Sequence, residues 1–270
     1  VRLARSAKSA YVERFWDAPL FDAVRHVAIS LQGLTDFPGV AELSRRLFSA
    51  TSGIALVEQA VLPKRTKKSK THADLYDVSI RDRGEVPTRA RSWHDLMNAL
   101  VFAAYPVAKR ALHALHAREI DRHFEVHGGL PNARSRVQDV LALFDEGGVV
   151  LACEYARLVE CNDALDRGDA GEVARLVTAR EARLLVFGHA TLEHHVLGVT
   201  LPRAASLAVP LAGLDRAVSD LGPSLEPAIL AHVEDLAARH GAGRRAEAPS
   251  RPALDLEAVY AALGANPEKP

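Results

Sequence analysis

Cysteine is scarce in this 270-residue chain: Cys153 and Cys161 are the only two, and they form no CxxC pair. That excludes a disulfide framework and a cysteine-rich zinc module, and it makes a reducing compartment, the cytoplasm, the expected location. An excess of one charge is lacking too, since 34 Lys and Arg face 34 Asp and Glu. Without a global field, nucleic acid and anionic membrane are not expected partners. Long apolar runs are also missing. The longest, "ALVFAAY" and "SLAVPLAGL", fall short of the ~20 residues of a membrane span. The opening "VRLARSAKSAYVERFW" is basic without a continuous apolar stretch, so it does not read as a secretory signal. Familiar reaction motifs are absent: there is no GxSxG elbow, no Walker loop and no GxGxxG.

What is present is a chain with 48% hydrophobic and 25% charged residues, enough to bury a sizeable core under an ordinary polar surface. Helical spacing of apolar residues predicts helices over 11–35 (interrupted at Pro19), 39–51, 93–104, 106–122, 154–180 and 189–198. Alternation predicts strands at 53–61 and 75–80, a hairpin at about 139–154 built from "DVLALFD", "EGG" and "VVLACE", and a further strand at "ARLLVFG". The expected fold class is α+β, predominantly helical with a small sheet. One domain is expected, with a core over about 11–221 and a C-terminal helical extension with a polar linker over 222–270. The Lys-rich "LPKRTKKSKTH" has no interleaved aromatic residue and reads as a solvated loop rather than a nucleic-acid contact.

Three short stretches carry most of the potential chemistry. In "RSWHDLMNAL", Ser92 is a plausible N-cap, and His94 and Asn98 lie one helical turn apart on one face. A histidine at a helix N-terminus is kept neutral by the dipole, which suits a metal ligand or a general base. The alternative is a capped helix in which His94, Asp95 and Asn98 are structural polar groups. In "DVLALFDEGG", the strand reading places Asp139 and Asp145 on one face with Glu146 at the turn. Carboxylates there suit a divalent cation or a general base, although turn formation explains Asp145 and Glu146 equally well. In "FGHATLEHH", His189 and Glu193 are one turn apart and could share one metal ion, but they do not form HExxH. His113 and His116 are read as part of a polar helix face.

Together "GEVPTRARSWHDLMNALVFAAYPVAKRALHALH", "DVLALFDEGG" and "FGHATLEHHVLGVT" resemble a bacterial family of proteins of unknown function, domain of unknown function 3025. The resemblance rests on Tyr76, Gly84, Val86, Thr88, Arg89, Trp93, His94, Asp95, Asn98, Asp139, Phe144, Asp145, Glu146, Gly188, His189 and Glu193. Asp77 stands where the family pattern has Glu, and Gln138 where it has Arg. The similarity covers most of 15–215 and implies a bacterial origin and one compact domain; it brings no activity with it.

The residues support two expectations. The first is a metal-assisted hydrolase of a small or anionic substrate. His94, Asp145 and His189 would hold a divalent ion (zinc, or magnesium or manganese), with Glu146 or Glu193 as general base. Asn98 would orient a ligand, Arg89 would neutralise an anionic group, and Asp95 and Asp139 are further candidates. The second is a non-catalytic ligand-binding or structural protein in which the same groups form a buried polar network.

Overall fold

The computed structural model describes residues 11–59, 71–241 and 251–264. The start of the basic N-terminus, nearly all of the Lys-rich stretch, most of the linker at 239–252 and the "NPEKP" tail lie outside the described residues.

Residues 11–35 form short turns rather than the long helix expected there. Pro19 forces Ala18 into extended backbone (φ −66°, ψ 144°) and breaks the run. Three-residue 3-10 turns at Phe15–Asp17, Pro19–Phe21 and Ile29–Leu31 flank α1 (Arg25–Ala28). There follow α2 (Val40–Leu47), β1 (Ala55–Glu58), α3 (Tyr76–Arg83), β2 (Glu85–Thr88), α4 (Trp93–Ala104), α5 (Pro106–His127) and α6 (Arg136–Gly147). The second half comprises β3 (Gly148–Cys153), α7 (Leu158–Arg167), α8 (Ala170–Thr178), β4 (Ala182–Val186), α9 (His189–Val196), β5 (Ala205–Pro210), α10 (Val218–Gly241) and α11 (Leu256–Ala262). The fold is thus α+β and predominantly helical, with two small sheets.

β1 and β2 form a parallel pair, with Leu56 opposite Val86. In the other sheet β3 is central, antiparallel to β4 and parallel to β5. Every residue of β3 is buried, as a strand with neighbours on both edges and helices over its faces requires.

Two expected strands are helices. The hairpin at 139–154 is replaced by α6 running into β3, whose antiparallel partner is the distant β4. Seven residues of alternation in "DVLALFD" compete with twelve residues of helical period, and the longer pattern wins. Ser135 and Gln138 close a capping box, and Val137, Leu141 and Phe144 form a buried stripe at i, i+4, i+7. Similarly, 76–83 is helical. Leu75 and Val78 pack on Ala117 and Ile120 of α5, and Gly84 ends the helix in the left-handed region (φ 67°).

One continuous set of buried apolar side chains extends from Phe15 to Tyr260. α10 joins it through Leu225, Ile229 and Val233, and α11 through Leu256 and Val259. Among the described residues, no helix is long and apolar enough to cross a membrane.

Candidate functional site

α4 is set by its first two residues. Ser92 caps it, its hydroxyl accepting the Asp95 amide at 3.3 Å. Trp93 is fixed in an aromatic cluster, stacked on Tyr11 and edge-on to Phe15 and Phe37. The Asp95 carboxylate clamps Arg89 at 2.8 and 2.9 Å, so this pair neutralises itself at the rim.

His94 meets α9. Its Nδ1–H donates to Glu193 Oε2 at 2.9 Å, and its Nε2 stands 3.1 Å from Nε2 of His189. The rings are nearly perpendicular, with centroids 4.5 Å apart. His189 is buried at the start of α9, where its Nδ1–H donates to the main-chain carbonyl of Asp145 at 2.8 Å. This approach needs Gly188: a Cβ there would sit 2.6 Å from backbone atoms of Glu146, Gly147 and Gly148.

The hydrogen-bond inventory constrains the pair. A carbonyl only accepts, so His189 carries its hydrogen on Nδ1 and presents a lone pair at Nε2. Glu193 holds the Nδ1 hydrogen of His94 in the same way. Two imidazoles so oriented have lone pairs facing each other, and only a cation between them, a proton or a metal ion, makes the contact favourable. The side chains differ in proton affinity. The Glu193 hydrogen bond raises the pKa of His94, whereas burial lowers that of His189 to about 3.

Behind His189 lies a second chain of contacts. The Asp145 carboxylate pairs with the fully buried Lys109, whose Nζ donates to Asn98 Oδ1 at 2.8 Å. Asn98 Nδ2 donates in turn to Tyr76 Oη at 2.8 Å. Burial pushes the Asp145 carboxyl up, but Lys109, with His189 and His113, overrides it and holds the group well below the usual range. Alongside, His113 donates to Asp77 Oδ1 at 2.7 Å and stacks on Phe102.

Tyr76, Asp77, His94, Asn98, His113, Asp145 and His189 border a cavity of 880 Å³, within the range of small-molecule sites. Of the four aspartates and glutamates that line it, Asp77, Asp95 and Asp145 are each committed to a cation or a histidine. Glu146 has no hydrogen bond or ion pair among the described residues. Arg134 lines the same cavity, exposed and also without an ion pair there.

Of the residues singled out from sequence, His94, Asn98, Asp145, His189 and Glu193 come together, and Arg89, Asp95 and Glu146 line the same cavity. Asp139 does not join them. On a helix it lies on a different face from Asp145, exposed in the first turn of α6. The Asp145 carboxylate stands on the Nδ1 side of His189, 3.6 Å away, and not beside the facing Nε2 atoms. Among the described residues no three His, Cys, Asp or Glu side chains are grouped to hold a metal.

Lys109 is not among the groups singled out from sequence, where Tyr76 and Asp77 enter only through the family resemblance and His113 only as part of a polar face. The signal for Lys109 lay in α5, where Lys109, His113 and His116 recur at i, i+4, i+7 among Ala108, Leu112 and Leu115. All three are buried, contrary to the polar face expected for the histidines.

The family model for proteins of unknown function DUF3025 matches residues 56–238, which include every group of this network. The chain belongs to the DUF3025 family. No curated protein and no solved structure matches this DUF3025 member.

Proposed function

We propose that this DUF3025 protein is a hydrolase of a small, anionic substrate, with a divalent metal ion held between Nε2 of His94 and Nε2 of His189. The carrying observation is that the two Nε2 atoms face each other at 3.1 Å while both Nδ1–H groups are given away, one to a carboxylate and one to a backbone carbonyl. Metal-ligating histidines are oriented by just such partners. Two nitrogens at about 2.0 Å from a tetrahedral zinc ion are about 3.3 Å apart, close to the spacing here. Bound there, the ion would acidify a water molecule and polarise the scissile bond.

The chain's own groups divide the remaining work. Glu193 orients His94, and Asp145, held by Lys109, orients His189 through its carbonyl. Glu146 is the general base, because Glu193 is already committed. Arg134 takes the anionic group of the substrate, because Arg89 is committed to Asp95.

Zinc titration of the EDTA-treated chain tests this reading. The wild type should bind one equivalent, His94→Ala and His189→Ala none, and Glu193→Gln about tenfold more weakly. A second reading has its own support, since one proton closes the same geometry: His94 as an imidazolium donates to both Glu193 and His189, and its pKa is raised. The pair would then belong to a non-catalytic ligand-binding protein. No zinc bound, with both His94 ring nitrogens protonated in ¹⁵N spectra at neutral pH, would decide for that reading.

A further inference from the structure

A second cavity, 570 Å³ in volume, shares no lining residue with the first. It lies beside α8, β4 and the segment leading into α10, with Val177, Leu185 and Leu214 among its apolar walls. Arg180, Arg183 and Arg216 line it against two carboxylates, Asp22 and Asp215. Asp22 is already paired with Arg25 from outside the cavity, so positive charge is in excess.

Arg183 is set in place, and Arg180 and Arg216 are exposed beside it. Arg183 donates to the carbonyls of Leu214 and Arg216 at 3.1 and 2.7 Å, which pins the loop that carries Arg216. The stem of Arg216 lies over Gly213, where an added Cβ would come within 2.7 Å of it. Arg180 ends α8 in the left-handed region, φ 59°, at a strain that glycine would avoid. Among the described residues two other non-glycines share that conformation, Arg14 and Arg91. They pair with Asp17 and Asp36, whereas neither Arg180 nor Arg216 has an ion pair among the described residues. Tyr260 also lines the cavity; it is 5% exposed, and its hydroxyl has no hydrogen-bond partner there. A buried hydroxyl without a partner calls for one.

We infer that this cavity binds an organic anion with an apolar body. The carboxylate head is taken by Arg180, Arg216 and the Tyr260 hydroxyl, and the chain lies on Val177, Leu185 and Leu214. Guanidinium groups match a carboxylate in shape and charge, and the tyrosine supplies a neutral donor. The site does not depend on the metal reading of the first cavity.

Equilibrium dialysis of labelled decanoate against the full chain, below the concentration at which decanoate self-associates, tests the proposal. One site per chain is expected. Arg180→Glu and Arg216→Glu should each weaken it by about tenfold or more, and Tyr260→Phe by about threefold. Arg45→Glu, the same charge change on the exposed face of α2 and outside both cavities, should leave it as it is. The proposal is overturned by no binding, by equal loss in Arg45→Glu, or by 1-decanol binding as tightly as decanoate.

Discussion

On one side of Asp145 the carboxylate meets Lys109, which is fully buried and bonded onward to Asn98 and, through it, to Tyr76. On the other side its main-chain carbonyl meets His189, whose partner His94 has a side chain 36% exposed. The first side is the more buried: the Lys109 side chain is 0% exposed and that of Asp145 11%, so the ion pair has little solvent to relax into. The second is open to the cavity and completed only by a cation. One residue thus links a structural network to a chemical one. Burial makes the first side costly to break, and exposure makes the second available for binding.

The largest expected effect is on the more buried side. Lys109→Met leaves the Asp145 carboxylate buried without its counter-charge and should lower unfolding stability by about 3–5 kcal/mol in urea. Lys109→Met with Asp145→Leu removes both charges and should recover most of that loss. Zinc binding should persist in the double variant, because His189 is held by the carbonyl of residue 145. If the double variant loses zinc as His189→Ala does, the two sides are one unit and the comparison fails.

Next in size is the junction between the sides. Gly188→Ala forces a methyl group into backbone 2.6 Å away, a conflict worth about 1–3 kcal/mol. The strain is relieved by moving α9 away from α6, which separates His189 from the Asp145 carbonyl. Zinc affinity should therefore fall together with stability, and a loss of stability alone would show that the histidine pair is held by other contacts.

Much of this was legible in the sequence, and the rest failed for identifiable reasons. The α4 cap and the turn at Gly188 follow from local signals that the fold respects, whereas the meeting of His94 with His189 and Glu193, 95 and 99 residues away, is tertiary and only the fold supplies it. Asp139 was misplaced because a strand period over seven residues resembles part of an amphipathic helix, and the capping box at Ser135 was the stronger signal. Lys109 was missed for another reason. A lysine in an apolar helix is normally discounted as surface, and only the tertiary approach of Asp145, 36 residues later, makes its burial favourable.

The smallest expected effect separates histidines held by carboxylates from a half-buried one that packs on an aromatic ring. His232 of α10 packs on the Phe144 ring, with centroids 5.0 Å apart. Burial, aided by Arg239 and Arg251, lowers its pKa to about 4. The unfolded chain takes up this proton near pH 6.5, the folded chain only near 4, so stability falls as pH drops across that window and is unaffected above it. His232→Gln should make the stability–pH curve shallower between pH 6.5 and 4, by less than one proton's worth of slope, and leave it unchanged above pH 7. Urea unfolding across that range measures this; an unchanged acid limb would mean that His232 is hydrated in the folded chain and titrates as it does in the unfolded one.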